Sequence, residues 1–132
     1  MTRDLLKKTG YSDKAIDYII NKVNVGKLKN PSIEHSYQGP CGDTMKLYLK
    51  IESDLITDAS FEATGCAGVF SAGSALTELI KGKELNEAKK ITEAAIIAHL
   101  EDVPPHKADC VVLAKKTFEN AIQQFSETNT GS

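Results

Sequence analysis

No apolar run in this 132-residue chain approaches the roughly 20 residues that a membrane-spanning helix needs. No stretch concentrates lysine and arginine either. Sixteen basic residues face 18 acidic ones, a formal net charge of −2, so the basic patch that marks nucleic-acid binders is missing. No basic segment followed by an apolar core opens the chain, which reads as the absence of a secretory signal and gives the expectation of a soluble, cytoplasmic protein. Cysteine is scarce: three residues, Cys41, Cys66 and Cys110, with no Cys-x-x-Cys pair among them. An odd count without an export signal argues against a disulfide framework. What is present is ordinary globular composition, 41% apolar and 26% charged, at a length that suits one compact domain with its own core.

The pattern along the chain predicts an α+β fold: a small antiparallel sheet followed by a run of helices. Ser12 can cap a helix over 12–23, with Ala15, Ile16, Ile19, Ile20 and Val23 at helical spacing. Residues 24–40 read as loop, with a short strand near 33–38. The clearest strand is 44–52, where Met45, Leu47, Leu49 and Ile51 face one way and Lys46, Tyr48, Lys50 and Glu52 the other. Ser53 and Asp54 mark a turn, and 55–64 returns as its partner, so the sheet should keep one wet face. Helices are expected over 67–81, with Gly82 just past the end, over 84–91, and from Thr92 to about 100. A last helix over 110–125, capped by Asp109, carries Val111, Ala114, Phe118, Ile122 and Phe125. The ordered part should run from about 11 to 125, with a frayed polar tail and with Tyr11 in a flexible N-terminal stretch suited to meeting a partner or a second copy.

On this map every cysteine falls at the end of an element, whereas a cysteine that merely packs would fall on an apolar stripe. Cys66 sits in a glycine-flanked turn that opens a helix, and Cys110 in the first turn of the last helix. A thiol at a helix N-terminus meets the positive end of the dipole and free N–H groups, which favour the thiolate, the form that both ligates metals and attacks. Asp43 adds a hard oxygen to that soft set, and three thiolates with one oxygen or nitrogen make four tetrahedral ligands. The long gaps from 41 to 66 and from 66 to 110 do not by themselves separate a metal site from scattered structural cysteines.

Several ordered motifs together resemble the iron–sulfur cluster scaffold family of IscU and the N-terminal domain of NifU. They are YSDKAIDYIINKVNVG, GPCGDTMKLYLKI, GCAGVFSAGSALTELIKGK and VPPHKADCVVLAKKTFENAI, spanning roughly residues 11–125. The resemblance implies a three-stranded sheet backed by helices, with Cys41, Cys66 and Cys110 converging as cluster ligands. Asp43 matches the aspartate that holds and later releases the cluster. It implies a [2Fe–2S] cluster, or a [4Fe–4S] one through pairing of two copies, with zinc as an occupant of the resting site. It also implies a cysteine desulfurase as sulfur donor, with Cys110 or Cys66 taking the persulfide and Cys110 preferred. Apo iron–sulfur proteins would receive the cluster. Val103, Pro104, Pro105, His106 and Lys107 match the motif read by an Hsp70-type chaperone and its co-chaperone, with His106 where the family has valine.

Two further departures shape the expectation. Family members have a histidine just before the third cysteine, where this chain has Asp109. An N-cap role explains Asp109, and ligation by Asp109 or by His106 stays open beside it. Lys22 stands where the family has proline. SufU-type proteins, zinc-dependent sulfur acceptors, share the cysteines and also lack the histidine. The motif at 103–107 and the uninterrupted step from Cys66 to Cys110 favour the scaffold side. A structural zinc domain that only binds partners is the third reading, and it should unfold in chelator. His35 and His99 carry no expected role in the chemistry.

Overall fold

The computed structural model describes residues 3–40, 42–101, 103–104 and 107–130, with side chains described as far as 127. Three strands, β1 (Ile33–Gln38), β2 (Thr44–Glu52) and β3 (Leu55–Thr64), form an antiparallel sheet in the order β1-β2-β3. Helices α1 (Arg3–Thr9) and α2 (Asp13–Asn21) precede it. Helices α3 (Ala67–Ile80), α4 (Leu85–Ala88), α5 (Glu93–His99) and α6 (Ala108–Thr130) follow it.

The sheet follows from alternation and one turn. Ser53 and Asp54 both take positive φ, 52° and 64°, the conformation of a two-residue hairpin whose twist matches that of its strands. That turn sets the register in which Leu47 pairs with Phe61 and Leu49 with Ala59. Met45, Leu47, Leu49, Ala59 and Phe61 therefore share one buried face. Helices α3 and α6 cover it. The outer edge of β3 is closed by the loop after α2, where Gly26 N–H donates to Phe61 O at 2.8 Å and Phe61 N–H to Asn24 O at 3.0 Å.

The opposite face is drier than the alternation predicts. Tyr48 was expected among the wet side chains, yet it is 2% exposed. Its hydroxyl donates to Glu62 at 2.5 Å, and the Lys46 ammonium stands 5.5 Å from its ring centre. Long charged neighbours cover an aromatic ring that a polar face would otherwise leave in water.

Helix α3 is buried almost all round, including Ser71, Ser74 and Thr77. Their hydroxyls donate to the carbonyls of Gly68, Val23 and Gly73, so the burial leaves no unpaired oxygen there. Gly73 is where α3 meets the sheet: a Cβ there would stand 2.5 Å from Cε2 of Phe61.

The ends of the chain differ from expectation. The stretch read as flexible contains α1, anchored by Leu6 at 2% exposure. Tyr11 is likewise buried, at 5%. Ser12 does cap α2, its hydroxyl accepting from Ala15 N–H at 3.0 Å. The helix stops at Asn21 because Lys22 takes φ +50°, a conformation the proline ring forbids, so α2 ends in a different cap from the one a proline at 22 would give. Helix α6 begins at Ala108 and not after Asp109, so Asp109 lies inside its first turn and not at its cap. It also runs on to Thr130, beyond the expected end at 125.

Candidate metal and thiol site

Three chain segments meet at one end of the sheet. The loop before β2 closes on itself through Gly39 N–H to Asp43 O at 2.8 Å and Gly42 N–H to Gly39 O at 3.0 Å, which places Asp43 at the strand's entrance. The turn after β3 delivers Cys66 to the N-terminus of α3, in extended backbone at φ −82° and ψ 173°. The first turn of α6 supplies Cys110. One ligand atom from each of Asp43, Cys66 and Cys110 lies within 4.8 Å of the other two. Cys41 lies outside the described residues, as do Pro105 and His106.

Two glycines make this convergence possible. Gly65 has φ +141°, and a Cβ there would lie 2.8 Å from both Cγ and Oδ1 of Asp43. The carboxylate thus rests directly on bare backbone. Gly68 has ordinary helical backbone, so its bareness serves packing alone. A Cβ there would lie 2.9 Å from Sγ of Cys110, 3.1 Å from the Tyr11 hydroxyl and 3.4 Å from Cδ of Lys107.

The two sulfurs stand 3.8 Å apart and are unoxidised. Two thiolates bound to one tetrahedral metal at about 2.3 Å each are separated by about 3.8 Å, so the pair already matches one edge of such a site. Asp43 supplies an oxygen toward the same point. This donor set suits zinc or the iron of a cluster and not a hard cation such as magnesium.

The thiols are electrostatically unequal. Burial raises the pKa of Cys66, but the Lys107 side chain, the amides of Val69 and Gly68 and the Cys110 thiol outweigh it and leave Cys66 below its ordinary value. Burial pushes Cys110 up to about 12, with the Cys66 charge adding to the effect and Lys107 opposing it. Cys110 is 6% exposed and Cys66 is half-buried, so the more accessible thiol is also the one held toward thiolate.

Of the residues singled out in the sequence, Asp109 is the one the geometry sets apart. It is exposed and lines a cleft of about 370 Å³ with Tyr37, Pro40, Asp43, Val112 and Lys116, and it is not among the converging ligand atoms. Val103 is half-buried and Pro104 buried. Lys107, read as the end of a recognition motif, reaches the site itself. Tyr11, read from the sequence as a flexible interface residue, is instead buried with its phenol bordering the thiols. The glycines beside Cys66 were visible in the sequence, but as bends and not as a cradle.

Comparison with known proteins agrees with this geometry. Residues 10–131 match the NifU-like N terminal domain. Among curated relatives, the iron–sulfur cluster assembly protein IscU of Plasmodium falciparum is 41% identical, covering 89% of this chain and 74% of that protein. The iron–sulfur cluster assembly scaffold protein IscU of Azotobacter vinelandii is 38% identical, covering 87% and 93%. Among solved structures, a candidate scaffold protein for the SUF system from Fervidobacterium islandicum superposes with a TM-score of 0.70 at 28% identity, covering 84% of this chain and 95% of that one. A NifU-like N-terminal structure from Brucella abortus gives 0.71 at 20% identity, covering 92% and 98%, a likeness of fold.

Proposed function

This chain belongs to the NifU-like N-terminal domain family, and on that premise we propose that it is a scaffold on which an iron–sulfur cluster is assembled and from which it is passed to apo-proteins. The observation that carries the proposal is the convergence of Asp43, Cys66 and Cys110 within 4.8 Å. Cys41 completes the ligand set in this reading. Iron and sulfide are cargo, and the role is one of holding and handing over, not of turnover.

The chain's own groups divide the work. A persulfide on a cysteine desulfurase transfers its outer sulfur to a thiolate of the scaffold, and the donor's inner sulfur leaves as thiolate. The sequence favours Cys110 as acceptor. The half-exposed Cys66, held toward thiolate by Lys107 and the first turn of α3, is the acceptor that the site's electrostatics favour. Asp43 provides the weaker, harder oxygen contact that lets the cargo leave. Zinc fits the same donors and would protect the thiols between rounds. The cytoplasm, where thiols stay reduced, suits a site with free cysteines. The segment at 103–107 would engage an Hsp70-type chaperone.

Anaerobic reconstitution with ferrous iron, cysteine, a reductant and a pyridoxal-phosphate desulfurase tests the reading, followed by visible absorption and Mössbauer spectroscopy. The expected result is a cluster that transfers to an apo-ferredoxin and that persists longer in Asp43→Ala. Tightly held zinc with faster desulfurase turnover and no cluster would replace it with the sulfur-acceptor reading, which Asp109 in place of histidine and the thiolate character of Cys66 favour.

A further inference from the structure

We propose that Tyr11 is a positioning residue of the thiol site: its ring closes the site over Cys110, and the contact between Gly10 and Pro104 holds that closure in place. The proposal rests on Cys66 and Cys110 being the working thiols, but its test reads thiol access in the metal-free chain and stands apart from whether a cluster is built.

Cys110 and the next residue, Val111, are buried while Asp109 before it is exposed, and the Cys110 sulfur faces Gly68 of α3. The Tyr11 hydroxyl and the Cys110 sulfur border the same methyl-sized space above Gly68. Tyr11 is 5% exposed, a high burial for a residue in the link between two short helices. The first turn of α3 at Gly68 and both thiols lie close enough to act on the phenol electrostatically. The ring is therefore fixed at its tip by the helix that carries Cys66.

Its base is fixed by a second segment. Gly10 takes φ +105°, and a Cβ there would stand 3.5 Å and 3.7 Å from Cγ and Cβ of Pro104. The Pro104 carbonyl accepts from Lys107 N–H at 2.8 Å, and Lys107 borders the space above Gly68. Pro104 and Lys107 thus flank the Tyr11 cover at its two ends. The ion pairs of α1, from Arg3 and Lys7 to Asp13 and from Arg3 to Asp17, have exposed partners and add little. Leu6 and Tyr11 pack into the core cluster, and that packing does most of the holding.

The test is iodoacetamide labelling of the metal-free, full chain, with the rate at each cysteine read by peptide mass spectrometry. Cys110 should react about tenfold faster in Tyr11→Ala than in wild type, with Tyr11→Phe restoring protection to within about twofold. Pro104→Ala should fall between them. A merely structural role for Tyr11 would speed all three thiols together and lower the melting temperature, and the conservative variant would show no selective rescue at Cys110. Should Tyr11→Ala lose its cooperative transition, Tyr11→Leu carries the test, because it fills the core with a side chain too short to reach Gly68. An unchanged Cys110 rate in the folded variant would overturn the proposal, as would equal acceleration in Tyr11→Phe. An unchanged rate in Pro104→Ala would overturn the part assigned to the Gly10–Pro104 contact.

Discussion

Replacing Gly68 with alanine should damage the site while sparing the fold. The added methyl would sit 2.9 Å from Sγ of Cys110 and 3.1 Å from the Tyr11 hydroxyl. A carbon and a sulfur need roughly 3.5 Å or more, so the Cys110 sulfur must retreat by about half an ångström. Both crowded atoms belong to buried side chains, Cys110 with a single side-chain torsion and Tyr11 with a rigid ring, so the strain falls on the site itself. The helix gains up to about 1 kcal/mol from losing a glycine, against an overpacking cost of about 1–3 kcal/mol. Net stability should therefore fall by no more than about 3 kcal/mol.

The metal site has no such compensation. The 3.8 Å separation of the sulfurs matches a tetrahedral edge, and displacing one sulfur spoils the match. Loss of groups that orient ligands typically costs 10–100-fold in affinity, and a similar fall is expected here. Competition for zinc against a chromophoric chelator measures it, and urea unfolding of the metal-free chain measures the fold. Wild-type zinc affinity in Gly68→Ala would show that the sulfur spacing is not what binds. A collapse of the unfolding transition would show that Gly68 belongs to the core and not to the site.

Gly73→Ala should do the reverse: its methyl would meet the fully buried Phe61 ring at 2.5 Å, costing about 1–3 kcal/mol in urea unfolding with zinc affinity unchanged. Lys107→Ala should slow alkylation of Cys66 at neutral pH by a few-fold to about tenfold, because the thiolate loses its cation beside a half-exposed sulfur, while Lys107→Arg keeps most of the rate. Alkaline stability should follow Cys110, whose pKa is raised in the folded state from an ordinary 9.0 to about 12. Its contribution is full below pH 9 and is lost as pH climbs toward 12, since only the unfolded thiol ionises readily in that window. Denaturant midpoints from pH 8 to 11 on the metal-free chain should therefore fall less steeply in Cys110→Ala, and parallel slopes would refute the assignment.

The elements that the sequence made legible are those whose cause is local. Alternation from Met45 to Ile51 and the pair Ser53–Asp54 specify β2, its turn and β3 with correct bounds, because period and turn chemistry act within a few residues. The start of α3 was visible for the same reason, in the glycines beside Cys66. Helix α1 was not: seven residues with one buried apolar side chain, Leu6, make no periodic signal, and its place depends on the rest of the protein. Tyr48 was misread because its cover, Lys46 and Glu62, consists of residues that alternation assigns to water. The site divides in the same way. Asp43 and the two described cysteines announced themselves by residue type and by position at element ends. Tyr11 and Lys107 join them through contacts between segments far apart in the chain, which no window of sequence contains.

The long-range part of the site also explains how it could both hold and release. The fold's weight rests on a core of strand and helix side chains such as Leu47, Leu49, Phe61, Leu76 and Phe118, none of which ligates. The ligands sit at three element ends on that platform, so the distance between them changes by local movement of a loop or of a helix's first turn. A site made from one rigid element would bind tightly and keep its cargo. Here Cys66 is held toward thiolate by Lys107, and Lys107 follows the backbone of the 103–107 segment through its bond to Pro104. Lys107 sets the charge beside Cys66, and Pro104 lies against Gly10 next to Tyr11. A grip on cargo at this site would thus depend on groups at the ends of elements, which can shift locally while the core stays folded.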